Sequence, residues 1–148
     1  IRLIFTGNPN EKLMSLARNL DVEKRVEFMG RVPEGDLPGL YRGALALIFP
    51  SLYEGFGLPV VEAMACGTPV LTSNTTSLPE VAGDAALLVD PTSVEQIKGG
   101  IERLCSDPEL RRMLSEKGLQ RVKLFKWENV ADKVKTVLQK MELENKND

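Results

Sequence analysis

The amino-acid sequence predicts an α/β fold in which a parallel sheet is covered by helices on both faces. Short apolar runs alternate along the chain with segments whose apolar residues have helical spacing, the pattern of strand–helix–strand units. Residues 44–49 are apolar throughout, as expected of a parallel strand that is buried on both faces. The length of 148 residues fits one domain. We therefore expect a single α/β domain over residues 1–148.

The first part of the chain predicts two strands, each followed by a helix. A strand over residues 1–6 ends at a Gly-Asn-Pro turn, and a second strand over residues 26–29 ends at a glycine. Between them, apolar residues spaced three and four apart predict a helix over residues 11–20. A short helix over residues 36–42 begins at an aspartate, a favoured N-cap residue.

The middle of the chain predicts a buried strand, a loop and a helix. The strand over residues 44–49 leads into a loop over residues 50–58. A helix over residues 59–66 has proline at its first position and glycine just past its end, which is the favoured asymmetry. Val61 and Ala65 are four residues apart, so we expect them to face the sheet.

The last part of the chain predicts two more strands and a run of helices. The strands cover residues 70–72 and 86–89, and the segment between them holds a polar loop and a helical turn over residues 79–82. The helices are predicted over residues 93–105, 108–123 and 127–144, with a polar tail from residue 143 to residue 148. An apolar stripe on the last helix either packs on this domain or is exposed, where it would drive self-association.

The charged residues and the missing histidine restrict the chemistry. Nineteen Lys and Arg against twenty-one Asp and Glu give a net charge of −2, which predicts no nucleic-acid partner. The chain has no histidine, which excludes Ser-His-Asp and Cys-His nucleophile systems as well as zinc sites that use histidine. Cys66 and Cys105 lie far apart in apolar surroundings, so we expect them to be reduced and buried.

The sequence shows no membrane segment. No apolar run reaches the roughly 18 residues that span a bilayer, and no basic amphipathic anchor is evident. The chain begins without Met, and its first residues have the pattern of a strand rather than of a signal peptide. We therefore expect a domain of a longer protein with cytoplasmic chemistry.

A glycine-containing loop before the helix at residues 59–66 is the most informative segment. Gly55 and Gly57 permit positive φ and allow a ligand to approach the main chain closely. The loop runs from a buried strand into a helix N-terminus, where free backbone N–H groups and the positive end of the helix dipole attract anions. The loop is therefore a candidate site for phosphate groups or sugar hydroxyls.

Two carboxylates flank this loop, Glu54 at its start and Glu62 eight positions later. A carboxylate accepts from two adjacent hydroxyls, and such bonds contribute about 1.5–3 kcal/mol each. A diol at each end of a diphosphate fits the pair, which predicts a nucleotide sugar as ligand. Each feature alone has a simpler explanation: Glu62 stabilises the helix dipole, Glu54 is a solvated loop residue, and Gly-x-Gly is a turn. The ordered combination favours the ligand site.

This combination resembles the C-terminal, donor-binding domain of the retaining GT-B glycosyltransferases of the group 1 type (family 4). That family carries a glutamate, seven residues and a second glutamate, here Glu54-Gly55-Phe56-Gly57-Leu58-Pro59-Val60-Val61-Glu62. Further matching segments are Pro50-Ser51, Ala63-Met64-Ala65, Gly67, Pro69-Val70, Val26-Glu27-Phe28-Met29-Gly30-Arg31-Val32 and Pro79-Glu80-Val81-Ala82-Gly83. The resemblance covers nearly the whole chain and implies a Rossmann-like sheet.

The resemblance also implies the roles of the residues. Glu54 would contact the donor sugar near the reacting centre and stabilise positive charge in the transition state, and Glu62 would bind the ribose hydroxyls. The amides of the glycine loop would meet the sugar and the diphosphate, and a loop after the second strand would contact the base. The donor-binding residues expected besides Glu62 are Gly55, Phe56, Gly57, Leu58, Arg31 and Val32. Transfer of a hexose would proceed with retention and without a cofactor or bound metal.

One departure from the family concerns the start of the chain. Family domains usually begin with an earlier strand, followed by a loop whose Arg and Lys hold the diphosphate. This chain opens on what resembles the second strand, so we expect it to lack that first strand, its loop and the N-terminal acceptor domain of the family. The expected partners are thus the nucleotide-sugar donor and that N-terminal domain. We expect the chain alone to bind donor weakly and to transfer no sugar.

Three other classes of protein are alternatives to a donor-binding glycosyltransferase domain. A sugar-nucleotide epimerase or a phosphorylase-like enzyme of the same architecture would need different loop chemistry. A phospho-acceptor receiver needs acidic residues at its strand ends, where this chain has Phe49, Thr72 and Val89. A degenerate, non-catalytic GT-B-like domain kept for binding or assembly stays open.

Overall fold

The computed structural model describes residues 1–144, with side chains up to residue 141. The predicted polar tail beyond residue 144 lies outside the described residues. Contacts divide the chain into two compact units, Ile1–Leu40 and Tyr41–Asp148. The expectation of a single domain over residues 1–148 stays a prediction. None of the described helices is long and apolar enough to cross a bilayer.

The first unit contains two parallel strands and a helix. Strand β1 (Leu3–Phe5) pairs with strand β2 (Val26–Phe28), and the rings of their last residues stack at 4.9 Å between centroids. Helix α1 (Glu11–Asn19) begins after Asn10, whose side chain accepts hydrogen bonds from two amides of the first turn. A 3₁₀ turn, which the sequence pattern did not predict, precedes β2 at Glu23–Arg25.

The second unit contains a three-stranded parallel sheet in the order β3-β4-β5. The strands are β3 (Leu47–Phe49), β4 (Val70–Ser73) and β5 (Leu87–Val89). All four residues of β4 are buried, as expected of the central strand. All five strands are those the sequence predicts, and they pair in parallel as two sheets of two and three strands.

Helices join and cover these strands. Helix α2 is Leu37–Gly43; the others are α3 (Leu58–Ala65), α4 (Leu78–Ala82), α5 (Val94–Ser106), α6 (Pro108–Arg121) and α7 (Trp127–Glu144), with a 3₁₀ turn at Val122–Phe125. Ser93 and Asp107 form N-caps because their side chains accept hydrogen bonds from amides in the first turns of α5 and α6. These bounds agree with the predicted helices to within about two residues.

The core of the second unit consists of two apolar clusters joined by β4. Val70 belongs to a cluster with buried residues of α3 and α4, whereas Leu71 belongs to a cluster with Leu104 of α5 and Leu114 of α6. Successive residues of a strand point to opposite faces. The helices therefore cover both faces of this sheet, which confirms the predicted α/β class.

The predicted inner face of α3 was wrong for Ala65, whereas Val61 does pack against the core. Val60, Ala63 and Met64 are buried, whereas Val61 is half-buried and Ala65 is exposed. The helix reads Leu-Pro-Val-Val-Glu-Ala-Met-Ala, so apolar residues occupy nearly every direction around it. Periodicity alone does not select a face in such a helix.

The structure also tests the expected burial of the two cysteines and of the apolar stripe on α7. Cys66 and Cys105 are free, as predicted, but both are half-buried rather than buried. The apolar stripe of α7 is largely exposed, with 44 to 56% of each residue accessible: Val130, Val134, Val137, Leu138 and Met141. Of the two alternatives for this stripe, the described residues therefore show the exposed one.

Candidate functional site

The predicted glycine loop leads directly into helix α3. Gly57 is the N-cap residue and has φ of +99°, a left-handed conformation that residues with a Cβ rarely adopt. A Cβ at this position would lie 2.6 Å from Cδ2 of Leu78, which is fully buried. Glycine is therefore required here both by the backbone conformation and by the close approach of α4.

The N-terminus of α3 and the loop before it have backbone N–H groups that form no bond within the helix. Among the described residues no side chain caps this helix, and Pro59 at its second position has no N–H. The Val60 amide donates to the carbonyl oxygen of Gly57 at 3.0 Å. The amides of the loop and of Leu58 precede this bond and lie at the positive end of the helix dipole. This arrangement suits an anionic group or a sugar oxygen.

The loop lies at the carboxyl end of β3, beside the loop that follows β4. Because β3 and β4 are parallel, their carboxyl ends share one edge of the sheet. Ser73 Oγ donates to the carbonyl oxygen of Ser51 at 2.5 Å, and Ser77 Oγ donates to that of Glu54 at 2.9 Å. The Glu54 amide donates more weakly to Thr76 Oγ1, at 3.4 Å. These bonds fix the backbone on both sides of Glu54.

The sequence predicts a polar loop after β4 but assigns no role to its hydroxyls. Ser73, Thr76 and Ser77 support the backbone that carries Glu54. The one signal in the sequence is the dense run of hydroxyl residues directly after a buried strand. Hydroxyls of this kind commonly bond to nearby backbone groups.

Glu54 and Glu62 occupy different environments on the second unit. Glu54 is half-buried in the loop, and Glu62 is exposed on the side of α3 that faces away from the core. Tyr41 Oη donates to Glu62 Oε2 at 3.0 Å. The sequence did not predict this contact, because 21 residues separate its two partners.

The phenol of Tyr41 is held in its neutral form. Burial is the main reason that the pKa of Tyr41 rises well above its ordinary value of 10.0, and the hydrogen bond and the charge of Glu62 raise it further. Tyr41 is therefore a hydrogen-bond donor to Glu62 throughout the neutral range.

The side chain of Phe56 packs within the second unit rather than standing free. Its ring meets that of Phe125 edge to face, with 5.6 Å between centroids. The guanidinium of Arg121 lies 5.6 Å from the centroid of the Phe125 ring, and its Nε donates to the carbonyl oxygen of Val81 at 3.0 Å. The segment after α6 thus supports the glycine loop from one side.

The remaining predicted residues, Arg31 and Val32, belong to the first unit. They follow β2 and line a depression of about 370 Å³ at the carboxyl ends of β1 and β2. The other residues that line it are Thr6, Gly7, Asn8, Gly30 and Leu37. Glu54, Glu62 and the glycine loop thus all belong to the second unit, whereas Arg31 and Val32 belong to the first.

The family described as "Glycosyl transferases group 1" matches residues 1–121, most of the chain and the whole of the candidate site. The chain belongs to the group 1 glycosyltransferases. The predicted resemblance is thereby confirmed.

Curated relatives of this family member include two bacterial mannosyltransferases. O-antigen chain mannosyltransferase B of Escherichia coli is 44% identical over 125 residues, which cover 84% of this chain and 33% of the relative. MMP α-(1→4)-mannosyltransferase of Mycolicibacterium hassiacum is 35% identical over 144 residues, covering 95% of this chain and 35% of the relative. The chain thus spans about a third of the length of these relatives.

Solved structures of glycosyltransferases share the fold. Sucrose-phosphate synthase from Thermosynechococcus elongatus superposes with a TM-score of 0.80 at 30% identity, covering 96% of this chain and 38% of that one. HepE from Anabaena, solved with UDP and glucose, gives a TM-score of 0.82 at 21% identity and covers 94% of this chain and 40% of that one. The latter likeness concerns the fold alone. The chain therefore has the Rossmann-like α/β fold of part of a GT-B glycosyltransferase, as the sequence predicted.

Proposed function

We propose that this chain is the donor-binding part of a retaining glycosyltransferase that moves a hexose from a nucleoside-diphosphate sugar to an acceptor. The observation that carries the proposal is the loop from Glu54 to Leu58. It enters α3 through a left-handed Gly57, presents backbone amides, and is followed by a carboxylate at Glu62 that Tyr41 holds. Membership of the group 1 family supports it.

The proposed reaction breaks the bond between the anomeric carbon and the diphosphate oxygen and forms a bond from that carbon to an acceptor hydroxyl oxygen, whose proton passes to the leaving diphosphate. Negative charge develops on the leaving diphosphate, where the amides at the start of α3 stabilise it. Positive charge develops on the sugar ring. In the proposed complex Glu54 contacts the donor sugar and stabilises this charge. Glu62 accepts hydrogen bonds from the ribose and anchors the nucleotide end of the donor.

The names of the relatives support mannose as the transferred sugar, since both curated relatives named above are mannosyltransferases. That HepE was solved with UDP and glucose supports a nucleotide-sugar donor for this fold. The proposal includes no bound metal and no cofactor. It also includes a partner: the acceptor-binding domain of the same protein, which completes the catalytic centre.

Calorimetric titration of the full-length protein with UDP-, GDP-, ADP- and dTDP-sugars tests the proposal. We expect one donor to bind and Glu62→Ala to weaken its binding by about 10- to 100-fold, the loss of one or two hydrogen bonds to a charged acceptor. Glu95→Ala removes an exposed glutamate from α5 and is the matched control. Unchanged donor affinity in Glu62→Ala would rule out the ribose assignment.

Turnover measurements separate the catalytic role from binding alone. The full-length protein is expected to release nucleoside diphosphate when donor and acceptor are both present, whereas residues 1–148 alone are expected to bind donor weakly and release none. Glu54→Gln should lower kcat with little change in donor affinity. Tight donor binding without turnover in the full-length protein would favour a degenerate binding domain instead.

A further inference from the structure

We propose that Tyr41 is a positioning residue for Glu62: its phenol hydroxyl holds the Glu62 carboxylate in the orientation that accepts the two ribose hydroxyls of the donor. The inference rests on the proposed function and adds to it the group that prepares the ribose acceptor before the nucleotide binds.

Tyr41 is held at its main chain and at its ring, and its phenol hydroxyl bonds to Glu62. Its Oη donates to Glu62 Oε2 at 3.0 Å, and its main-chain oxygen accepts from Thr68 Oγ1 at 2.7 Å. Thr68 is only 3% exposed and lies three residues after the end of α3. The Tyr41 ring packs against the buried cluster that includes Val60 and Ala63. Tyr41 therefore offers a fixed donor to a carboxylate that is otherwise exposed.

A fixed donor matters because a free glutamate side chain has many rotamers. Immobilising such a side chain when a ligand binds costs affinity, and an existing hydrogen bond removes part of that cost. A carboxylate has about four lone-pair positions. Tyr41 occupies one of them on Oε2, which leaves Oε1 and the second position on Oε2 for two adjacent hydroxyls.

The bond has little value for stability alone, because Glu62 is exposed and water satisfies its oxygens equally well. The raised pKa of Tyr41 agrees with a permanent donor role. A residue that only supported the fold would affect all ligands alike. A positioning residue affects those ligands that carry the ribose hydroxyls.

The test uses the full-length protein and the tightest-binding of UDP, GDP and ADP, each compared with its 2′,3′-dideoxy form. Calorimetry gives both dissociation constants. The constant of the dideoxy nucleotide divided by that of the nucleotide with an intact ribose measures how much the ribose hydroxyls contribute to binding. We expect Tyr41→Phe to lower this ratio by about 3- to 10-fold while the dideoxy nucleotide binds as in the wild type. Tyr41→Phe keeps the ring, and thermal unfolding verifies that the variant is folded.

Two further variants make the result decisive. Tyr53→Phe removes the hydroxyl of the other tyrosine, which is 80% exposed. This control variant should leave the ratio unchanged. In a Glu62→Ala background, Tyr41→Phe should have no further effect on the ratio, since the two residues act through one bond. A wild-type protein that does not distinguish ribose from dideoxyribose contradicts the proposed function. A wild-type ratio that persists in Tyr41→Phe overturns the positioning role alone.

Discussion

At the scale of single residues, Gly57 is a position where both the backbone conformation and a neighbouring side chain disfavour any residue other than glycine. Its φ of +99° and the 2.6 Å approach of Leu78 leave no room for a Cβ. Leu78 is fully buried, so a shift of its side chain would disturb the residues packed around it. The glycine of the predicted donor loop is thus also a structural requirement of the contact between α3 and α4.

We expect Gly57→Ala to lower the free energy of unfolding by about 2–4 kcal/mol, from left-handed strain together with overpacking against Leu78. Urea denaturation measures it. Gly55→Ala is the matched control, because a Cβ at Gly55 would meet no atom within 4 Å, and it should change stability by less than about 1 kcal/mol. Equal effects of the two variants would show that the strain at Gly57 is not real.

A second residue-scale prediction concerns Asp84. The hydrogen bond from Lys117 Nζ, at 2.7 Å, and then the lysine charge hold the pKa of Asp84 below its ordinary value of 3.8. A carboxyl whose pKa is lower in the folded state contributes stability above its unfolded pKa, and this contribution is lost as the pH falls through the folded pKa. Asp84→Asn should therefore flatten the acid side of the stability–pH profile below about pH 4.

Unfolding by urea at a series of acidic pH values measures this slope. Asp132→Asn removes a carboxylate that forms no ion pair among the described residues, so its profile should run parallel to that of the wild type. An Asp84→Asn profile parallel to the wild type would show that the ion pair with Lys117 does not persist in solution. Since the pair is exposed, the change is expected to be small.

At the scale of elements, helix α5 lies so close to the sheet that only glycine fits at one position. A Cβ at Gly100 would lie 2.3 Å from Cδ1 of Leu71, a fully buried residue of β4. The neighbouring Gly99 has open space around the same position. Adjacent glycines of one helix thus have opposite requirements, since one faces the sheet and the other does not.

Gly100→Ala should destabilise the fold by about 1–3 kcal/mol through overpacking. Gly99→Ala should stabilise it by up to about 1 kcal/mol, because alanine has the higher helix propensity. Guanidinium denaturation of both variants measures the difference. If Gly100→Ala were as stable as Gly99→Ala, α5 would have to sit farther from β4 than the structure shows.

The elements also show what a sequence pattern can and cannot predict. All five strands and the helix after the glycine loop follow from apolar periodicity and from punctuation by Gly and Pro, which are local properties. The inner face of α3 cannot be predicted from such local patterns, because the residues of this helix are almost all apolar. Nor can the bonds of Ser73 and Ser77 to the loop around Glu54, since they depend on which loops the parallel sheet places together. Tyr41 escaped prediction for the same reason.

At the scale of the whole molecule, burial is distributed unevenly between the two units. In the first unit, Ile1–Leu40, the one buried apolar residue among those described is Ala17. Both apolar clusters lie in the second unit, around β4. A segment of about 40 residues rarely stabilises itself through its own core. The second unit therefore holds most of the folding free energy, and it is the unit that carries Glu54 and Glu62.

We expect native-state hydrogen exchange to show this difference directly. Amides of β1 and β2 should exchange through openings of lower free energy than amides of β4. Leu71→Ala, which deletes a fully buried side chain of β4, should lower the opening free energy of β4 amides by about 2–5 kcal/mol. It should leave that of β1 amides nearly unchanged, because those amides already exchange by local opening. Equal protection of β1 and β4, or equal loss in both, would mean that the chain unfolds as one cooperative unit and that the first unit draws its stability from the core around β4.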